Sequence, residues 1–134
     1  MTDRAQLRAL MGALDVQVAL GRIALRDAMA LVHQITGEMA QLKQPLSLGA
    51  TSLAEARNAA RHDTWRDARR EELTRELALA RATEATARET LAKLEARKEA
   101  LEIILEENAT AAKTVERRTA NEQLLGHVLL RQTS

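Results

Sequence analysis

Counting in alternating steps of four and three from Leu7 reaches Met11, Leu14, Val18, Gly21, Leu25, Ala28, Val32, Ile35, Met39 and Leu42, and every position is apolar or glycine. A helix with this 3.5-residue repeat presents one unbroken apolar stripe to a partner helix. Asp3, with Gln6 three residues later, has the form of an N-cap. Pro45 removes a backbone donor and disfavours helical geometry at Gln44. The pattern predicts a first helix over about 3–43 and a loop over about 44–51, where Gly49 permits a turn.

The second start signal is Ser52-Leu53-Ala54-Glu55, the Ser-x-x-Glu form of a capping box. From Ser52 to about Arg131 there is no proline and one glycine, Gly126, which predicts a helix over about 52–131. At 1.5 Å per residue such a helix is about 120 Å long. Its seam reads Leu73, Leu77, Ala80, Glu84, Ala87, Leu91, Leu94, Lys98, Leu101, Leu105, Asn108, Ala112, Val115, Thr119 and Glu122, polar at five of fifteen positions. The pairs Glu71 with Arg75, Glu84 with Arg88 and Glu89 with Lys93 have the i,i+4 spacing that supports an exposed helix by a few tenths of a kcal/mol each.

A short loop between two amphipathic helices makes them antiparallel neighbours. The predicted fold is therefore all-α, one coiled-coil domain over 1–134 in which two long helices form an antiparallel hairpin with a C-terminal helical overhang. A turn centred near Leu48 sets Leu7 near Thr90 and Leu42 near Glu55, leaving about forty C-terminal residues unpartnered. Leu101, Ile103, Ile104 and Leu105 fall in that overhang, and aliphatic residues on a projecting helix point to a second protein, with Leu101, Ile104 and Leu105 as candidate contacts.

Composition narrows the picture. The 134 residues include no Phe, no Tyr and one Trp, so the apolar fraction is mostly Ala and Leu, which fill a narrow helix seam better than a thick core. The absence of cysteine excludes disulfides and thiolate chemistry. The opening Met1-Thr2-Asp3-Arg4-Ala5-Gln6 is too polar for a signal peptide, and Asp15, Arg22, Arg26 and Asp27 interrupt the most apolar segment, so the reading is a soluble, cytoplasmic chain without a membrane span. Net charge is +1, shared evenly at about +1 over 1–52, −2 over 53–107 and +2 over 108–134, unlike the basic excess of a nucleic-acid binder.

The sequence offers no catalytic or cofactor constellation. His33, His62 and His127 stand far apart with no metal spacing, and Gly12, Gly21 and Gly37 form no phosphate loop, their places in a helix reflecting close approach or a tolerated cost. A two-helix hairpin has no dry pocket in which its many carboxylates could be tuned, so the chain is read as not an enzyme, with no cofactor and no metal. Asn108-Ala109-Thr110 matches a glycosylation sequon, but the chain shows no secretory signal. Trp65, set among charges in His62-Asp63-Thr64-Trp65-Arg66-Asp67, lies off the seam, where it either braces the hairpin tip or anchors a partner.

An N-terminal helix, a loop ending in a threonine-serine pair (Gly49-Ala50-Thr51-Ser52), a segment leading into a long helix, and the run from Glu95-Ala96-Arg97-Lys98-Glu99-Ala100-Leu101 to Val115-Glu116-Arg117-Arg118 together resemble the FliJ/YscO family of flagellar and injectisome export proteins. The resemblance is one of architecture over most of the chain. It implies a small coiled-coil protein, peripheral to the membrane export apparatus, that stands in the hexameric export ATPase as a stalk, does not itself hydrolyse ATP, connects the ring to the membrane export gate and is a possible partner of export chaperones. Aligning the threonine-serine pairs places the family's gate-binding face on Arg61, Trp65, Ala68 and Glu72, whose spacing of four, three and four fits one helix stripe. Arg61 and Glu72 depart from the apolar and polar residues of that face, and Leu124-Leu125-Gly126-His127-Val128-Leu129-Leu130-Arg131 stands in place of an acidic ending. The rival reading is a homo-oligomeric coiled-coil scaffold or tether in which the bare part of the second helix pairs with its own copy.

Overall fold

The computed structural model describes residues 3–42 and 51–133. Helix α1 spans Arg4–Gln41 and helix α2 spans Leu53–Thr133. The two long helices pack against each other as an all-α hairpin, with no strand among the described residues. The expected turn at Pro45 and Gly49 lies outside the described residues. Among the described residues no helix is long and apolar enough to cross a membrane.

Both start signals act as their residue types require. The Asp3 carboxylate accepts from the Ala5 amide at 3.4 Å while the Gln6 side chain accepts from the Asp3 amide at 3.4 Å, so two of the orphan donors at the α1 terminus are satisfied reciprocally. At α2 the Ser52 hydroxyl accepts from the Glu55 amide at 3.1 Å. The Glu55 carboxylate reaches one residue further back than a simple box, to the Thr51 amide at 3.0 Å and the Thr51 hydroxyl at 2.7 Å. These hydrogen bonds, the Thr51 hydroxyl first, hold the Glu55 carboxyl below its ordinary value although the residue is fully exposed.

The chain divides into two compact units, Met1–Gln17 with Leu94–Ser134, and Val18–Lys93. In the first, Leu7, Leu14 and Leu101 are buried together, with Met11, Leu94 and Leu105 packed against them. The polar seam position Lys98 is accommodated there by an ion pair to Asp15 across the helices at 2.9 Å. In the second, Ile35, Leu73 and Ala80 form the core, flanked by Val32, Met39, Leu42 and Leu77. Glu84, also on the seam, pairs along its own helix with Arg88 at 2.8 Å, and Glu89 pairs with Lys93 at 3.1 Å. The third expected pair does not form: Glu71 and Arg75 make no ion pair among the described residues.

The register differs from the one a turn at Leu48 implies. Leu7 packs with Leu101 instead of lying near Thr90, and Leu42 joins the cluster of Leu73 and Leu77 instead of lying near Glu55. The tight-turn register sets Ile35 opposite His62, in the most charged part of α2; the observed one sets it against Leu73, which is fully buried. Apolar matching therefore decides the offset, since burying Leu in place of His is worth on the order of 1–2 kcal/mol per contact.

Two corrections follow for the overhang. Leu101 is 5% exposed and Leu105 is half-buried, both inside the hairpin seam, so neither lies in the overhang. Coverage ends at half-buried Ala109, and residues 110–133 are exposed throughout. The bare part is thus 24 residues long, not about forty. Ala109 takes the place expected of Asn108, which is exposed, because a straight helix drifts about 20° per heptad from a strict 3.5-residue repeat.

Leu73→Ala is expected to destabilise the hairpin by about 3 kcal/mol, since the site is fully buried in a seam two side chains wide; urea unfolding within about 1 kcal/mol of the parent would contradict the register. A Cβ built on Gly12 or Gly37 meets nothing within 4 Å, so close helix approach does not explain either residue. Gly12→Ala and Gly37→Ala are each expected to raise stability by about 0.5–1 kcal/mol, read by thermal unfolding.

Candidate functional site

Arg61, Trp65, Ala68 and Glu72 all lie on the described part of α2 and all are exposed. Their spacing puts them on one stripe of the helix, off the seam that carries Leu73 and Leu77. Trp65 keeps 55% of its surface exposed, and its ring lies 5.4 Å from that of His62 at a tilt of 39°. An aromatic that is more than half exposed beside charged residues is available to a partner, because its apolar area is not committed to the intrachain seam.

The electrostatics of the stripe are fixed by Arg69 beside it. Its guanidinium donates to Glu72 at 3.0 Å and across the helices to Glu38 at 3.2 Å, and lies 3.7 Å from Glu76. Glu72 first, then Glu76 and Glu38, raise its pKa above the ordinary arginine value against the opposing effect of burial. Glu72 thereby shares its charge with Arg69.

Arg66 is a feature that sequence reasoning missed. It is 8% exposed, and its Nε and Nη2 donate to Asp67 at 3.2 and 2.8 Å. Its Nη1 lies 3.9 Å from Asp63 and is buried without a hydrogen bond. The signal was in the pattern: the seam count continued backwards from Leu73 gives Arg70, Arg66, Asp63, Ala59 and Ala56, and each is buried or half-buried. The seam of α2 therefore opens on two alanines, is charged from Asp63 to Arg70 and turns apolar again at Leu73.

The remaining candidates separate into two groups. Leu101 and Leu105 belong to the intrachain core around Leu7 and Leu14, as above. Ile104 is 44% exposed and its neighbour Ile103 is 49% exposed, so these two remain on the surface of α2. Beyond them the bare segment exposes Val115, Leu124, Leu125, Val128, Leu129 and Leu130, each more than half exposed. On the second unit a shallow groove of about 480 Å³ runs between the helices, lined by Gly21 and Ala24 of α1 and by Leu79, Ala82, Thr83 and Thr86 of α2. Among the described residues no group of three or more His, Cys, Asp or Glu side chains is placed to hold a metal ion.

Comparison with protein-family models, with curated proteins and with solved structures finds no match to this chain.

Trp65→Ala is expected to cost less than about 1 kcal/mol in thermal unfolding, because the side chain is more than half exposed and the seam residues are untouched. A loss of about 3 kcal/mol or more would show that Trp65 braces the hairpin instead.

Proposed function

We propose that the chain is a stalk and adaptor of a bacterial type III protein export apparatus, flagellar or virulence-associated, linking the export ATPase ring to the membrane export gate. The observation that carries this reading is the combination of a two-helix hairpin with a bare extension of its longer helix, in which residues 110–133 are exposed on every side. A helix uncovered for 24 residues, ending in the apolar run Leu124-Leu125-Gly126-His127-Val128-Leu129-Leu130, is built to be covered by something else. The FliJ/YscO resemblance supplies the identity of that cover as the ATPase ring.

In this reading the chain positions other proteins and performs no chemistry of its own. One uninterrupted helix, Leu53–Thr133, carries both the seam and the extension, and it contains no proline to kink it. The gate contact falls on Arg61, Trp65, Ala68 and Glu72, with Trp65 as the anchor and Arg61 and Glu72 as polar rim. Ile104 remains a partner contact beside the seam, whereas Leu101 and Leu105 act by holding the hairpin together. The chain is then cytoplasmic and peripheral to the membrane, and export chaperones are further partners.

The exposed leucines of the extension equally favour the rival class, a scaffold in which these segments of several copies pair. Capture by the purified export ATPase separates the two. The full chain is expected to be retained and a chain truncated after Ala109 lost, while Trp65→Ala keeps the ATPase and loses about 2 kcal/mol or more of affinity for the export gate. No retention of the full chain, together with an oligomer that the truncation abolishes, would replace the adaptor by the scaffold.

A further inference from the structure

The outer face of α2 in the second unit carries a charge pattern that reads the same when reversed with signs exchanged. Steps of four, three, four, four, three and four from Glu71 reach Arg75, Ala78, Ala82, Thr86, Glu89 and Lys93, and all seven are exposed. This spacing averages about 3.67 residues per turn, so the seven form one stripe on a nearly straight helix. The stripe lies opposite the seam residues Leu73, Ala80 and Leu91, which are buried.

We propose that this stripe is a docking surface for a second copy of the same chain, packed antiparallel about a two-fold axis at Ala82. Reversal about Ala82 sets Glu71 against the partner's Lys93, Arg75 against the partner's Glu89, and Ala78 against the partner's Thr86. Every charged position thereby meets its opposite, and the two-fold repeats each pair. A parallel arrangement sets Glu71 on Glu71 and Arg75 on Arg75, so the charges also select the direction.

Two observations within the chain fit this occupant. Glu71 and Arg75 have the spacing of an intrahelical pair yet make no ion pair among the described residues, which leaves both side chains available. Glu89 and Lys93 pair with each other at 3.1 Å, and this exposed i,i+4 pair is weak enough for both charges to be shared with the partner's opposite charges. At the centre Ala78, Ala82 and Thr86 are small enough to let two helix backbones approach closely. Leu79, 71% exposed and on the lip of the groove lined by Ala82, Thr83 and Thr86, is the one large apolar side chain at the edge of this centre.

The size of the surface sets the strength. The stripe is about 33 Å long at 1.5 Å per residue and one helix wide, on the order of 350 Å² per copy, well below a standard interface. The dimer is therefore a weak, salt-sensitive one, populated only at high protein concentration and low ionic strength. It uses no residue beyond Lys93 and does not rest on the adaptor reading, which is tested separately by ATPase capture.

The test is sedimentation of the full chain alone, up to roughly 0.5 mM and at about 20 mM salt, where screening is weak. The wild type is expected to dimerise and to return to monomer as salt rises. Glu71→Lys with Arg75→Glu, and separately Glu89→Lys with Lys93→Glu, are each expected to raise the dissociation constant at least about tenfold, with helix content unchanged. Mixing the two variants restores wild-type association, because every mismatched pair is then matched in the heterodimer. Ala82→Glu, which sets two like charges on the axis, is expected to remain monomeric. A wild type that stays monomeric over this range overturns the proposal, as do charge-reversed variants that self-associate like the wild type or a mixture that fails to associate.

Discussion

The apolar match between Ile35 and Leu73 is the contact on which the arrangement of the second unit depends. Helix α1 is apolar at every seam position, so on its own it slides against any partner with little preference. Helix α2 is not uniform: its seam is Asp63, Arg66 and Arg70 before it becomes Leu73, Leu77 and Ala80. The transition at Leu73 is thus what sets the offset. Arg66 then bears the consequence, a guanidinium buried by the seam position it occupies, with Asp67 and Asp63 close by and one nitrogen without a hydrogen bond. Such a group adds little net stability, because desolvation offsets its attraction to the carboxylates, and both carboxylates sit on its own helix, so they accompany it whatever the register.

Most of the secondary structure was legible in the sequence because its signals are local. The Ser52 and Glu55 cap, the seam steps from Leu7 to Leu42, and the absence of proline after Ser52 each act through residues within one or two turns. The register was not legible by the same means. It depends on which distant residues meet, and the loop expected over about 44–51 constrains that poorly. Centring the turn near Leu48, between Pro45 and Gly49, moved Leu101 and Leu105 out of the core and into the overhang, although their leucine character and seam spacing already matched Leu7 and Leu14. Asn108 was misplaced for a smaller reason, the cumulative drift of a real helix from the ideal repeat. Trp65 was legible as an exception to the seam, and its exposure is consistent with that position; which protein covers it is a matter of chemistry between chains, on which an isolated stripe is silent.

The hairpin satisfies only part of the apolar demand of α1. Leu20 is 60% and Ile23 45% exposed on the side away from the seam, and Leu79 on α2 is 71% exposed. The chain's accessible surface, 10667 Å², is about half as much again as the roughly 7,000 Å² typical of a compact monomer of 14.8 kDa. A seam made of Leu, Val, Ile and Ala without aromatics buries little area per turn, and any protein that binds the folded chain and not the unfolded one adds to its stability by mass action.

That geometry separates folding from recognition. Each residue that holds the helices together, Leu7, Leu14, Ile35, Leu73, Ala80 and Leu101, has its side chain on the seam, whereas exposed Trp65 and Arg75 on the paired part of α2 lie off it. Trp65 lies about a quarter-turn from buried Arg66, and Arg75 lies half a turn from Leu73, so a change at either exposed position leaves the buried neighbour in place. In a globular domain the two functions usually share side chains, and binding-site substitutions carry a folding penalty. Here the 3.6-residue period distributes them to different faces of the same helix, which is why a chain with so thin a core can present several distinct surfaces without losing its fold.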